Sequence, residues 1–236
     1  MKNITFLDIL FPRRCPVCAE IVKPAGSLIC PSCIPKLSLV TSPTCRQCGK
    51  EIADETAEYC TDCQKHRHSF AYGIALFNYN DAAKRSMVQI KYEHKREYLD
   101  FYGQAMAKRY GKIIQAMEID AIVPVPIHRS RMRTRGFNQA EVLADILGEK
   151  LGIPVKPEYL FRNRKTLPQK ELTASERLKN LSGAFCAGEI PKQVQNILLV
   201  DDIYTTGSTA EACTRVLRAA GVKHVYVAVI CMAGGR

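Results

Sequence analysis

Eight of the eleven cysteines lie within the first 63 residues, as four Cys-x-x-Cys pairs. The first two pairs frame CPVCAEIVKPAGSLICPSC, with Cys15, Cys18, Cys30 and Cys33. The next two frame CRQCGKEIADETAEYCTDC, with Cys45, Cys48, Cys60 and Cys63. Both stretches have the spacing Cys-x2-Cys-x11-Cys-x2-Cys, and the second begins 30 residues after the first, which makes them an internal repeat. A tight Cys-x-x-Cys turn aims two sulfurs at one metal, and a second such turn completes a tetrahedron of soft ligands suited to Zn²⁺. All four positions of each site are filled by protein, so both zinc ions are expected to be structural. The repeat favours consecutive pairs on each metal, and a cross-braced arrangement stays open. Four matched copies argue against a redox Cys-x-x-Cys. His66 and His68 follow closely, but a full set of thiols makes them unnecessary as ligands. Cys186, Cys213 and Cys231 stand alone, and the last two read as small buried side chains.

A second stretch carries different chemistry. NILLVDDIYTTGSTAEAC, Asn196 to Cys213, is an apolar strand ending in two carboxylates, followed by a Thr/Ser/Gly loop that opens a helix. Backbone N–H groups and hydroxyls at a helix N-terminus suit a phosphate. Gly207 permits a turn there that a side chain would hinder. Asp201 and Asp202 repel anions, so the pair suits a ligand that carries hydroxyls beside its phosphate. A capped α/β turn would look similar.

These residues need a scaffold, and the periodicity supplies one. Ala71 to Tyr79 alternates as a strand, Asp81 to Tyr92 and Tyr98 to Met117 have helical spacing, and AIVPVP from Ala121 is a short buried strand. Phe137 to Leu151 reads as a helix closed by Gly152 and Pro154, Thr209 to Ala220 as another stopped by Gly221, and His224 to Ile230 as a last strand. Strands alternating with helices predict a parallel sheet with helices on both faces. The expected division is residues 1–68, a short helix and two zinc ribbons, and residues 69–236, the α/β domain.

The net charge of +11 is concentrated: residues 84–135 hold a basic excess of 7 and residues 156–182 an excess of 4. Two four-thiolate zinc sites lower the total to about +7, leaving the surplus in the α/β half, where an anionic ligand is expected. No run of 18 or more apolar residues predicts a transmembrane helix. The short apolar stretch near the start is interrupted by Asp8 and precedes no small-residue cleavage site, so it does not read as a signal peptide. A cytoplasmic, thiol-preserving location is expected.

The segment from Asn196 resembles the phosphoribosyl pyrophosphate motif of type I phosphoribosyltransferases. DAIVPVPIHRSRMRTRGFNQAEVLA, Asp120 to Ala144, resembles the ComF family of late-competence proteins, which carry such a domain behind cysteine pairs. The resemblance spans nearly the whole chain, including RNRKTLPQKELTASERLKNLSGAF. It implies a type I phosphoribosyltransferase-like α/β fold behind a double zinc ribbon. Asp201 and Asp202 would be the catalytic pair on the ribose 2- and 3-hydroxyls, with Thr205, Thr206, Gly207, Ser208 and Thr209 cradling the 5-phosphate. Pro124 to Arg129 falls where such folds keep the pyrophosphate loop, followed by Arg129, Arg131, Arg133 and Arg135, whose guanidinium groups suit pyrophosphate. Arg162 to Arg177 falls where they keep a mobile loop. Mg²⁺ would accompany phosphoribosyl pyrophosphate.

Thr205 follows Ile203 and Tyr204 where purine-salvage enzymes of the hypoxanthine–guanine type keep an aspartate, so that activity is not implied. Three readings remain: a transferase with an unidentified acceptor, a non-catalytic phosphoribosyl pyrophosphate or nucleotide module, and a DNA-uptake protein that handles single-stranded DNA beside other uptake proteins. The absence of Trp counts mildly against a dedicated single-strand binder.

Overall fold

The computed structural model describes residues 11–163 and 183–234. The helix expected before the first cysteine pair and the loop expected from Arg162 to Arg177, beyond its first two residues, lie outside them. After the cysteine-rich half, which ends in the short helix α1 (Thr61–Lys65), the chain runs β1 (Tyr72–Asn78), α2 (Asp81–Tyr92), α3 (Leu99–Ala116), β2 (Ala121–Pro124), α4 (Arg129–Arg135) and α5 (Gln139–Leu151). It continues as β3 (Leu160–Arg162), β4 (Phe185–Ala187), β5 (Asn196–Tyr204), α6 (Ser208–Ala219) and β6 (His224–Met232). Side-chain caps fix two helix starts: Asn80 accepts from the Ala83 N–H and Asn138 from the Ala140 N–H, each satisfying a donor the first turn leaves free.

Four strands form one parallel sheet in the order β1-β6-β5-β2, and β3 and β4 pair antiparallel beside it. The apolar runs from Ile197 and from His224 are the inner strands, whereas the AIVPVP strand and β1 form the edges. Side chains alternate across β5: Leu198 and Val200 join one core with Met87, Tyr102, Leu143 and Leu147, whereas Ile197 and Leu199 join another with Cys213, Leu217 and Phe185. Cys213 and Cys231 are buried, as the pattern predicts.

The cysteine half does not stand apart from this sheet. Ribbon residues Cys15, Val17, Val22 and Ile29 belong to the first core, and Cys45, Cys48, Cys60 and Cys63 to the second, so the two ribbons straddle the β1 edge. The free edge of β1 is used: Val40 N–H donates to Leu76 O, Asn78 N–H to Ser38 O, and Gly73 N–H to Gln47 O. An open sheet edge is a template for unwanted pairing, and here it is covered from within the chain. The approach at the knuckle is close enough that a Cβ on Gly49 would meet Gly73 O at 2.2 Å, so only glycine fits. No described helix is long and apolar enough to cross a membrane.

Candidate functional site

The two ribbons fold locally in the same way. Cys15 N–H donates to Glu20 O and Cys45 N–H to Lys50 O, while Ala19 N–H returns to Cys15 O and Gly49 N–H to Cys45 O. Each turn closes through an isolated antiparallel bridge, Arg14 with Ile21 and Thr44 with Glu51. The sulfurs of Cys45, Cys48, Cys60 and Cys63 all lie within 4.8 Å of one another, as do those of Cys15, Cys18 and Cys30, with Cys33 adjoining Cys15 and Cys18. Consecutive pairs therefore share a site, which answers the pairing question left open by spacing. The 3.7 Å between the Cys48 and Cys60 sulfurs matches a tetrahedral edge; Zn–S bonds of about 2.3 Å give sulfur–sulfur edges of about 3.8 Å. Mutual hydrogen bonds pull the Cys45 thiol down and push Cys48 and Cys63 up, as expected of four thiols crowded at one point. The donor set fits Zn²⁺.

A cleft of about 540 Å³ opens at the C-terminal end of the parallel strands, where α/β sheets bind ligands. Asp201 and Asp202 sit near the end of β5, followed by the loop Thr205–Gly207, and Ser208 begins α6. Asp201, Asp202, Thr205, Gly207, Ser208 and Thr209 line the cleft with Arg131 and Arg135, whereas Thr206 sits in the loop that bounds it. Gly207 has φ +76°, and its left-handed turn points the following amides into the start of α6. Thr206 and Ser208 hydroxyls lie 2.8 Å apart.

The two carboxylates differ. Asp202 is buried and ion-paired with Lys91 from the last turn of α2. Burial works against its charge, but the Lys91 ammonium outweighs this and holds the carboxyl below its usual range. Burial, and then the charge of Asp202, push Asp201 well above that range. The arginines of the same cleft show a related tension. Burial, then the charge of Arg131, lower Arg162, whose guanidinium stacks 5.2 Å from the Phe185 ring centroid. A crowded carboxylate pair suits hydroxyl donors or a cation, and neighbouring guanidinium groups suit an anion. One ligand carrying both would relieve both.

Folding of residues 129–135 as α4 sorts the arginines. Positions four apart share a helix face, so Arg131 and Arg135 turn toward the cleft. Arg129 lines an adjoining groove with His128, Phe161 and Asn163, and exposed Arg133 lines neither. Buried Arg135 donates to Gln139 Oε1 at 3.0 Å and lies over Tyr92. Sequence reasoning missed Lys91, Gln139 and the Tyr79, Met87 and Tyr92 wall of the cleft. Lys91 and Tyr92 close a helix whose pattern gives no hint of what the neighbouring strand carries.

The family described as phosphoribosyl transferase domain matches residues 104–236, and that described as double zinc ribbon domain matches residues 6–64. The chain belongs to the phosphoribosyl transferase domain family. The resemblance to ComF proteins holds with it, since the zinc ribbon precedes the transferase domain and curated competence proteins match. Competence protein F of Haemophilus influenzae is 36% identical over 46% of this chain and 48% of that protein. DNA utilization protein YhgH of Escherichia coli (strain K12) is 38% identical over 48% of this chain and 49% of its own length. Competence protein ComFC of Bacillus subtilis (strain 168) is 28% identical over 61% and 56%. The chain thus spans about half the length of the curated relatives it matches. A solved purine phosphoribosyltransferase from Pyrococcus horikoshii Ot3 is 20% identical with a TM-score of 0.35, covering 57% of this chain and 73% of that one.

Proposed function

We propose that the cleft binds phosphoribosyl pyrophosphate and that the phosphoribosyl transferase domain acts as a transferase of ComF type in DNA uptake. What supports this is the convergence in one cleft of the Asp201–Asp202 pair, the Thr205–Thr209 loop and the Arg131–Arg162 guanidinium pair. In this reading Asp201 and Asp202 accept hydrogen bonds from the ribose 2- and 3-hydroxyls, and the loop amides and hydroxyls hold the 5-phosphate. Arg131 and Arg162 hold the pyrophosphate and stabilise charge as it leaves. The carboxylate pair also fits Mg²⁺ arriving with the ligand, which would neutralise pyrophosphate oxygens and favour departure of that group. A nitrogen nucleophile closes on the opposite face of the ribose. The protein's contribution is positioning and charge stabilisation. Eight thiols kept for metal suit a reducing compartment, so we place the protein in the cytoplasm.

Calorimetric titration of phosphoribosyl pyrophosphate with Mg²⁺ into the zinc-loaded protein tests the reading. Saturable binding that disappears when both Asp201 and Asp202 become Asn is the expected result, and absence of binding to a folded protein overturns it. A second reading, single-strand handling, is favoured by Arg129 and Arg133. Both are exposed, and neither lines the main cleft. They leave basic surface available to a phosphate backbone beside an occupied site.

A further inference from the structure

His68 belongs to neither metal site, and it makes contacts that the transferase reading does not use. Its ring stacks on Phe70 with centroids 4.9 Å apart and 13° between planes, and Tyr204 packs edge-on against both rings. His68 Nε2 lies 3.1 Å from Tyr204 Oη, and Nδ1 lies 3.6 Å from Glu211 Oε2. Glu211, buried in the first turn of α6, accepts from the Ser69 N–H at 2.6 Å and from the Ser69 hydroxyl at 2.7 Å. Arg215 Nε donates to the same carboxylate at 2.6 Å. With the ring proton on Nδ1, facing Glu211, Nε2 accepts from the Tyr204 hydroxyl. Burial pushes the pKa of that hydroxyl up, so it keeps the proton this bond uses.

These rings form the floor of the phosphate loop. A Cβ placed on Gly207 would lie 2.2 Å from Tyr204 Oη and 2.8 Å from His68 Cε1. The loop therefore rests directly on the pair. At the other end, the His68 carbonyl accepts from Gln47 Nε2 at 2.8 Å. Gln47 lies between the ligands Cys45 and Cys48, and its own carbonyl accepts the Gly73 N–H at the sheet edge. A continuous chain of contacts thus runs from the second cysteine cluster, through Gln47, His68 and Tyr204, to Gly207.

We propose that His68 is a positioning residue for the phosphate loop, holding Tyr204 beneath Gly207 while Glu211 and Gln47 hold His68. The second ribbon thereby sets the shape of the anion site. This rests on the phosphoribosyl pyrophosphate reading of the cleft for its ligand, though not for its geometry. His68 does not line the cleft and acts through Tyr204, which does.

The test uses the full zinc-loaded chain and its His68→Ala, His68→Gln and Tyr204→Phe variants, with zinc content and melting recorded for each. Calorimetry is run with ribose 5-phosphate and separately with inorganic pyrophosphate, and amide hydrogen exchange is followed over residues 205–209. His68→Ala and Tyr204→Phe should each weaken ribose 5-phosphate by about tenfold, the scale of one lost hydrogen bond. Pyrophosphate affinity should not change, and a variant combining His68→Ala with Tyr204→Phe should be no worse than either single one. His68→Gln, which restores a donor and an acceptor, should recover part of the loss. Unchanged ribose 5-phosphate affinity and unchanged loop exchange in folded, zinc-loaded His68→Ala overturn the proposal. If the unaltered protein binds neither probe, the pyrophosphate reading falls and the loop amides decide. Faster exchange at residues 205–209 in His68→Ala then supports the positioning role, and unchanged exchange overturns it.

Discussion

Asp201 is the costly member of the carboxylate pair, and changing it to Asn should make the free protein more stable as it becomes unable to bind its ligand. Asp202 has Lys91, whereas burial and the charge of Asp202 push Asp201 well above its ordinary pKa of 3.8. The Asp202 N–H donates to Asp201 Oδ1 at 2.8 Å, and an Asn amide oxygen keeps that bond. The substitution therefore removes a poorly compensated, partly buried charge without removing an acceptor. Relief of such a group is worth about 1–3 kcal/mol. In a chain of this size each kcal/mol moves the melting temperature by about 2–4 °C. The sign follows from linkage. A carboxyl raised in the folded state favours folding below its unfolded pKa, and this contribution is lost as pH rises through the folded value. Asn does not titrate, so its advantage over Asp should be small in acid and grow with pH. Urea unfolding of the zinc-loaded proteins from about pH 5 to about pH 8 reads this directly. An Asn variant that is less stable, or whose gain does not vary with pH, refutes the account of the pair.

Lys91→Met leaves Asp202 buried beside Asp201 without its cation, and breaking a buried pair costs about 3–5 kcal/mol. Asp202 now stabilises the fold above the ordinary carboxylate range and loses that contribution as pH falls, so the variant's urea midpoint should drop most at neutral pH and least in acid. Stripping zinc with a chelator should expose the β1 edge, and hydrogen exchange at Gly73 and Asn78 should accelerate before that of β5. If single strands bind, changing both Arg129 and Arg133 to Ala should lower the slope of log affinity against log salt by about 1–2 units, leaving phosphoribosyl pyrophosphate titrations unchanged.

The regular elements of the sheet were readable because their signals are local. Asp81–Tyr92 is the helix its spacing predicts, and Ile197 to Asp201 and His224 to Ile230 are inner strands, each somewhat longer than its apolar run. The metal sets were readable because repetition at fixed spacing is itself geometric information. Other features depend on contacts between distant residues. A run of alternating arginines looks like one patch until the segment turns out to be helical, which separates Arg131 and Arg135 from Arg129 and Arg133. Lys91 meets Asp202, and His68 meets Tyr204, across more than a hundred residues of sequence, and no periodicity records such pairs. The covering of β1 by the ribbons was equally silent, because backbone pairing leaves little trace in side-chain pattern.

The strand order β1-β6-β5-β2 also sets a timetable for synthesis. The strand that joins β1 to the rest of the sheet spans residues 224–232, so β1, β2 and β5 have all been synthesised before the piece between them. Without β6 the chain has two incomplete half-sheets, and the ribbons protect only the outer side of one. The inner sides of β1 and β5 wait for the same strand. Translation that stops before residue 224 would therefore release a chain with two open edges facing each other, each complementary to a segment that is never made.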